Sequence, residues 1–218
     1  MIRNGALALA AIAATCVIVP PLPNLAEQLF SAHMAQHLLL IAVVAPLLAF
    51  SGALEPARAA PVLRSLLHPV TAWLCFVIVF LLWHWPPAFH WAAGAEPTRL
   101  LELGSIFVAA TAFWLAALAP ANKTSLSFGA RALYVMTAAV ATDLPGVIMV
   151  FAPQAICNMP HENAARFGLS PLQDQEIAGL LMWVPANLVF FGIATGLFAR
   201  WISDPAPERS AQQKPVVS

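Results

Sequence analysis

Long stretches of this chain contain no Asp, Glu, Lys or Arg. Ser31–Phe50 and Val70–Trp85 are two of them, and both are almost wholly apolar. An uncharged apolar run of about 20 residues has one stable form, a helix across a bilayer, since 1.5 Å per residue then spans the hydrocarbon. Six mostly apolar segments of roughly this length are predicted to span: Gly5–Pro20, Ser31–Phe50, Val70–Trp85, Arg99–Leu118, Ala132–Phe151 and Gln175–Ala199. They are too long and continuous to be barrel strands, which alternate apolar and polar residues. The expected fold is therefore an all-α polytopic membrane bundle of about six spans. Residues 1–202 form the bundle and 203–218 a disordered cytoplasmic tail. The first run follows Met1-Ile2-Arg3-Asn4 and has the look of a signal peptide. No clean small-residue cleavage site precedes Pro20-Pro21, so a retained helix is the preferred reading.

Composition closes off other classes. Charged residues make up 9% of the chain, against about 25% in soluble domains. Ten basic and ten acidic side chains give zero net charge, so no basic field exists to hold nucleic acid. A hydrophobic fraction of 61% excludes general disorder. The 19 prolines are expected at loop edges and kinks.

The few basic residues set the orientation. Eight fall on one side of the predicted spans, among them Arg3, Arg58, Arg64, Lys123, Arg131 and Arg200; Arg99 and Arg166 fall on the other. Basic loops stay inside, so both termini are placed in the cytoplasm. Five of the six histidines, His33, His37, His84, His90 and His161, then gather at the outer face, with His68 alone inside.

Several of these positions have metal-site chemistry. His33 and His37 are spaced i, i+4, which points two imidazoles the same way, and Met34 lies beside them. His84 ends the third span within Trp83-His84-Trp85-Pro86-Pro87, where the tryptophans read as an interfacial belt and the prolines as a helix stop. Cys157, Met159 and His161 lie in the last outer loop, and sulfur with imidazole suits a soft ion such as Cu(I). Met182 is predicted about 10 Å below the outer end of its helix and His37 about 9 Å below its own, so the two are matched in depth. Asp143 lies mid-span beside Pro145-Gly146, where the helix is expected to break, and reads as a relay or as support for a histidine. Asp174 and Glu176 read as first-turn acids favouring their own helix dipole. No phosphate loop, nucleophile elbow or His-Glu-x-x-His motif points to an enzyme.

The strings His33-Met34-Ala35-Gln36-His37 with Pro46, Trp83-His84-Trp85-Pro86, and Asp174-Gln175 with Ala178-Gly179-Leu180-Leu181-Met182-Trp183-Val184-Pro185 resemble the CtaG family, from about Phe30 to the end of the sixth span. That resemblance implies a membrane factor for assembly of caa-type cytochrome c oxidase, working on copper at the outer face. It carries His33, His37 and His84 over as copper-handling candidates, and Asp174, Gln175, Met182 and Trp183 as signature positions. It also implies a fourth span opening on His, Glu and His. Here Arg99-Leu100-Leu101-Glu102-Leu103 keeps only the acid. The expected partners are oxidase subunits or another copper chaperone, in the bacterial inner membrane. A b-type haem protein in quinol electron transfer and a metal-free oxidase scaffold are the alternatives.

Overall fold

A computed structural model describes residues 2–54, 67–118, 126–157 and 163–203. Every regular element among them is helical: α1 (Ile2–Ile18), α2 (Leu22–Ala26), α3 (Phe30–Leu38), a π-helical turn (Leu39–Val44), α4 (Ala45–Ser51), α5 (Pro69–Trp83), α6 (Pro86–Ala93), α7 (Glu96–Leu118), α8 (Phe128–Phe151), a 3-10 turn (Ala164–Phe167) and α9 (Pro171–Ser203). Prolines sit in the first turns of α5, α6 and α9, where a missing N–H costs nothing.

Four segments are long and apolar enough to cross a bilayer: Phe30–Ser51, Glu96–Leu118, Phe128–Phe151 and Pro171–Ser203. The pair α5–α6, bent by 75°, makes a fifth if the two are one broken span rather than a re-entrant loop. The expected sixth falls short. At 17 residues, α1 reaches only about 25 Å, less than the ~30 Å hydrocarbon. Arg3 Nε donates to the Ser51 carbonyl at 3.0 Å, which pins the start of α1 to the end of α4.

The bundle is built on the α8–α9 pair. Gly146 and Gly179 let the two backbones meet: a Cβ on Gly179 would lie 2.8 Å from the Gly146 carbonyl oxygen and 2.9 Å from Met149 Cβ. Small residues at a crossing permit this approach. Sequence suggested a helix break at Pro145-Gly146, but α8 runs unbroken through Pro145. Gly146 serves the crossing with α9.

Helix α9 also packs on α3, and α5 on α7. Phe76, Phe113, Trp114 and Phe190 interlock below, with ring centroids 4.8–6.3 Å apart. The π turn follows His37 directly. In a regular α-helix residue 46 would donate to the Ala42 carbonyl, which Pro46 cannot do, and the wide turn removes that clash. Trp114 Nε1 uses the widened backbone, donating to the Ile41 carbonyl at 2.7 Å. Helix α9 continues through Ser203, one residue past the expected boundary of the bundle; 204–218 lie outside the described residues.

Candidate metal centre

Helices α3, α7 and α9 start at one end of the bundle, where α5 and α8 finish. Their ends converge on a group of buried polar side chains. His33 and His37 project from the same face of α3, as their spacing demands, with ring centroids 4.6 Å apart. Glu102, in the second turn of α7, meets both: its Oε1 is 3.2 Å from His33 Nε2 and 3.4 Å from His37 Nε2. All three side chains have zero exposure. Each offers a ligand atom within 4.8 Å of the others. His33 Nδ1, both ring nitrogens of His37 and Glu102 Oε2 are buried without a hydrogen-bond partner. Buried polar atoms seldom stay unpaired, and four of the eight such side-chain atoms among the described residues fall in this cluster.

His84 extends the group. It sits in the bend between α5 and α6, its ring 5.4 Å from that of His37 and stacked on Phe80. Its Nδ1 is 2.7 Å from the Phe80 carbonyl oxygen. A carbonyl only accepts, so Nδ1 carries the proton. The neutral imidazole then presents a bare lone pair at Nε2, and 3.3 Å away is Met182 Sδ, also lone-pair bearing. Two acceptors face each other with no proton between them. A histidine that donates one ring nitrogen to a carbonyl and turns the other inward has the usual arrangement of a metal ligand.

Other sequence candidates take different places. Met182 meets His84 rather than His37, because the bend of α5 carries His84 inward. Met34 is buried in the apolar core. Cys157 is buried but is not a member of the histidine group. Its N–H, like that of Ile156, donates to Gln175 Oε1, which ties the loop to α9 instead. Burial pushes the Cys157 thiol up to about 11. Met159 and His161 lie outside the described residues. His90 is exposed. Asp143 supports no histidine among the described residues; its Oδ1 accepts from Asn187 Nδ2 at 2.7 Å.

Two bland readings also change. Asp174 caps α3 rather than serving its own helix alone: it accepts from Phe30 N at 2.7 Å, Ser31 N at 3.1 Å and the Ser31 hydroxyl. Trp83 is no belt residue. It is buried, and its Nε1 donates to Ser105 Oγ at 2.8 Å; Trp85, Trp91 and Trp201 are the exposed tryptophans among the described residues. Sequence reasoning passed over Glu102 as a site residue. Its signal was an acid seven residues inside an apolar helix, the same signal that singled out Asp143.

Against known proteins, the family described as cytochrome c oxidase caa3 assembly factor (Caa3_CtaG) matches residues 3–204. The chain belongs to that family. No curated protein and no solved structure gives a significant match. The match takes in α1, which the strings in the sequence did not reach. Within this Caa3_CtaG chain the signature positions divide by task. Asp174 and Gln175 are structural: one caps α3, and the other staples the loop and donates to the Met149 carbonyl at 3.1 Å. Met182, two turns further along α9, touches the histidine group. The family's description assigns it to assembly of the caa3 cytochrome c oxidase.

Proposed function

We propose that this chain holds copper as cargo for cytochrome c oxidase assembly, at a centre formed by His33, His37, His84, Glu102 and Met182. The observation that carries this reading is the His84 Nε2–Met182 Sδ contact at 3.3 Å, two lone pairs without a proton between them, set against four unpartnered ligand atoms on His33, His37 and Glu102. Imidazole with thioether suits Cu(I). Charge supports the same ion. With neutral histidines the centre carries one formal negative charge, on Glu102. A monovalent cation makes it neutral, whereas a divalent one would leave a net charge inside the bilayer, which is costly.

Ring spacing favours a bare ion over haem. The imidazoles touch edge to face at 4.6 and 5.4 Å, a separation with no slot for a macrocycle between them. The eight-to-two split of basic residues supports the reading that this end of the bundle faces outward from the inner membrane, with oxidase subunits or a second copper carrier as the partners.

The test is Cu(I) content and affinity of the purified protein against a His33→Ala/His37→Ala double variant, with an absorption spectrum of the same samples. Cu(I) retained by the wild type and lost from the variant supports the reading. Absence of Cu(I) from both, or a Soret band in the wild type, overturns it.

A further inference from the structure

Helices α8 and α9 meet backbone to backbone at Gly146 and Gly179. At the other end of the pair the Trp201 ring lies across Gly129, where a Cβ would come 3.0 Å from it. A groove of about 570 Å³ opens there between the two helices. Its walls include Leu133, Met136, Phe198 and Trp201, all of them exposed. The groove therefore opens sideways, onto the surface that the bilayer covers. Its size falls in the range of about 300–1,000 Å³ that ligand sites occupy. No lining residue is charged, which suits a hydrocarbon chain.

The mouth has the opposite character. Ser127, the residue before α8, and Thr195 bring hydroxyl groups to the lining. Ser127 Oγ accepts from Ala130 N at 3.2 Å, and neither hydroxyl donates to a described residue. Phe128 stands in the chain between the lining residues Ser127 and Gly129, and two guanidiniums lie against its ring. Arg200 Cζ is 4.7 Å from the ring centroid and Arg131 Cζ is 5.2 Å from it. Cation–π contact favours both positions, but it gathers two like charges around one ring, and they repel each other. Arg131 Nε is engaged with the Leu126 carbonyl at 3.2 Å. Arg200 is exposed and makes no ion pair with any described residue. The described carboxylates stand elsewhere: Glu27, Glu96, Glu102, Asp174 and Glu176 at the opposite end of the bundle, and Asp143 in mid-span.

We propose that this groove seats one acyl chain of an anionic phospholipid, with the lipid phosphate at the mouth against Arg200. The apolar walls accept any acyl chain, so charge is what selects the lipid. An anionic lipid brings only its phosphate to the arginines. A zwitterionic lipid also brings an ammonium, which the same arginines repel. The split of basic residues along the chain favours a cytoplasmic position for this end, and the cytoplasmic leaflet is the anionic one. One basic side chain near such a surface is worth about a five-fold preference.

The experiment incubates delipidated protein in mild detergent with equal amounts of phosphatidylglycerol and phosphatidylcholine of identical acyl chains, and counts the bound lipids by native mass spectrometry. Wild type, Arg200→Gln, Arg200→Lys, Thr195→Phe and Leu188→Phe are compared, each checked for an unchanged melting temperature. Leu188 is exposed outside the groove and is the control. The wild type is expected to hold one phosphatidylglycerol at least five-fold in preference to phosphatidylcholine. Arg200→Gln is expected to lose about five-fold of that preference, and Arg200→Lys to keep most of it. Thr195→Phe fills the groove and is expected to lose both lipids, while Leu188→Phe matches the wild type. Equal retention of the two lipids by the wild type, a preference unchanged in Arg200→Gln, or full retention in Thr195→Phe overturns the site. Neither the histidines nor copper take part, so such a failure leaves the copper reading standing.

Discussion

Glu102 Oε1 lies 3.2 Å from His33 Nε2 and 3.4 Å from His37 Nε2, and its Oε2 is unpartnered. Glu102→Gln keeps the volume and removes the charge, so Cu(I) affinity is expected to fall at least ten-fold, about 1.4 kcal/mol, in competition with a chelator. Met182→Leu tests the sulfur alone. Met and Leu exchange in cores for under about 1.5 kcal/mol, so the fold survives while Cu(I) binding weakens by a similar factor. Cys157 gives a pH prediction. Its thiol is raised to about 11 by burial, and a raised value means the neutral thiol dominates at physiological pH. In a Cys16→Ser/Cys75→Ser background, alkylation of Cys157 is expected to be slow at pH 7.5. It should quicken about ten-fold per pH unit up to pH 11, because the thiolate is the reactive form. A rate already level at pH 8 would contradict the buried placement.

At the scale of elements, the bundle is stapled by side chains that the sequence presented as surface or signature features. Asp174 takes two backbone N–H groups and a hydroxyl at the start of α3, all buried. Asp174→Ala orphans them, and a loss of about 3 kcal/mol is expected from the cap and the charged hydrogen bonds together. Thermal unfolding in detergent reads it, with Asp174→Asn losing less. Gly179→Ala sets a Cβ 2.8 Å from a backbone oxygen; helix backbone yields poorly, so a fall of about 1–3 kcal/mol is expected in the same assay. Gly192 has open space around its Cβ position, so Gly192→Ala is the control, expected to be neutral or stabilising by up to about 1 kcal/mol. The i, i+4 pair His33/His37 was legible because helical period alone sets it. The partnership of Asp174 with Ser31 was not, because 143 residues separate them and only the docking of α9 on α3 closes that gap. Trp83 was misread for a related reason: hydropathy cannot say which face of a continuous apolar helix meets a neighbour.

For the whole molecule, orientation follows from a handful of basic residues. Fusions of a cytoplasmic fluorescent reporter to either terminus are expected to fluoresce, and fusions of a reporter active only outside the cytoplasm are expected to be silent. The opposite pattern would place the centre on the inner face. The family match over residues 3–204 sets the biological scale: the chain belongs to a family that serves assembly of an oxidase.

Sequence alone determined that the chain crosses a membrane as helices, because long uncharged runs have no other stable home. It also set the expectation that the histidines gather at one end, because the basic residues give the spans a preferred direction. Three strings sufficed to place the family. Tertiary structure alone decided which of these groups meet. It brought Glu102 to His33 and His37, turned His84 onto Met182 through a 75° bend, left Cys157 outside the histidine group and set Asp143 on a cavity wall with Asn187. The reason is geometric: helical period fixes which residues share a face, but the rotation and depth of each helix against its neighbours depend on packing that no single segment encodes.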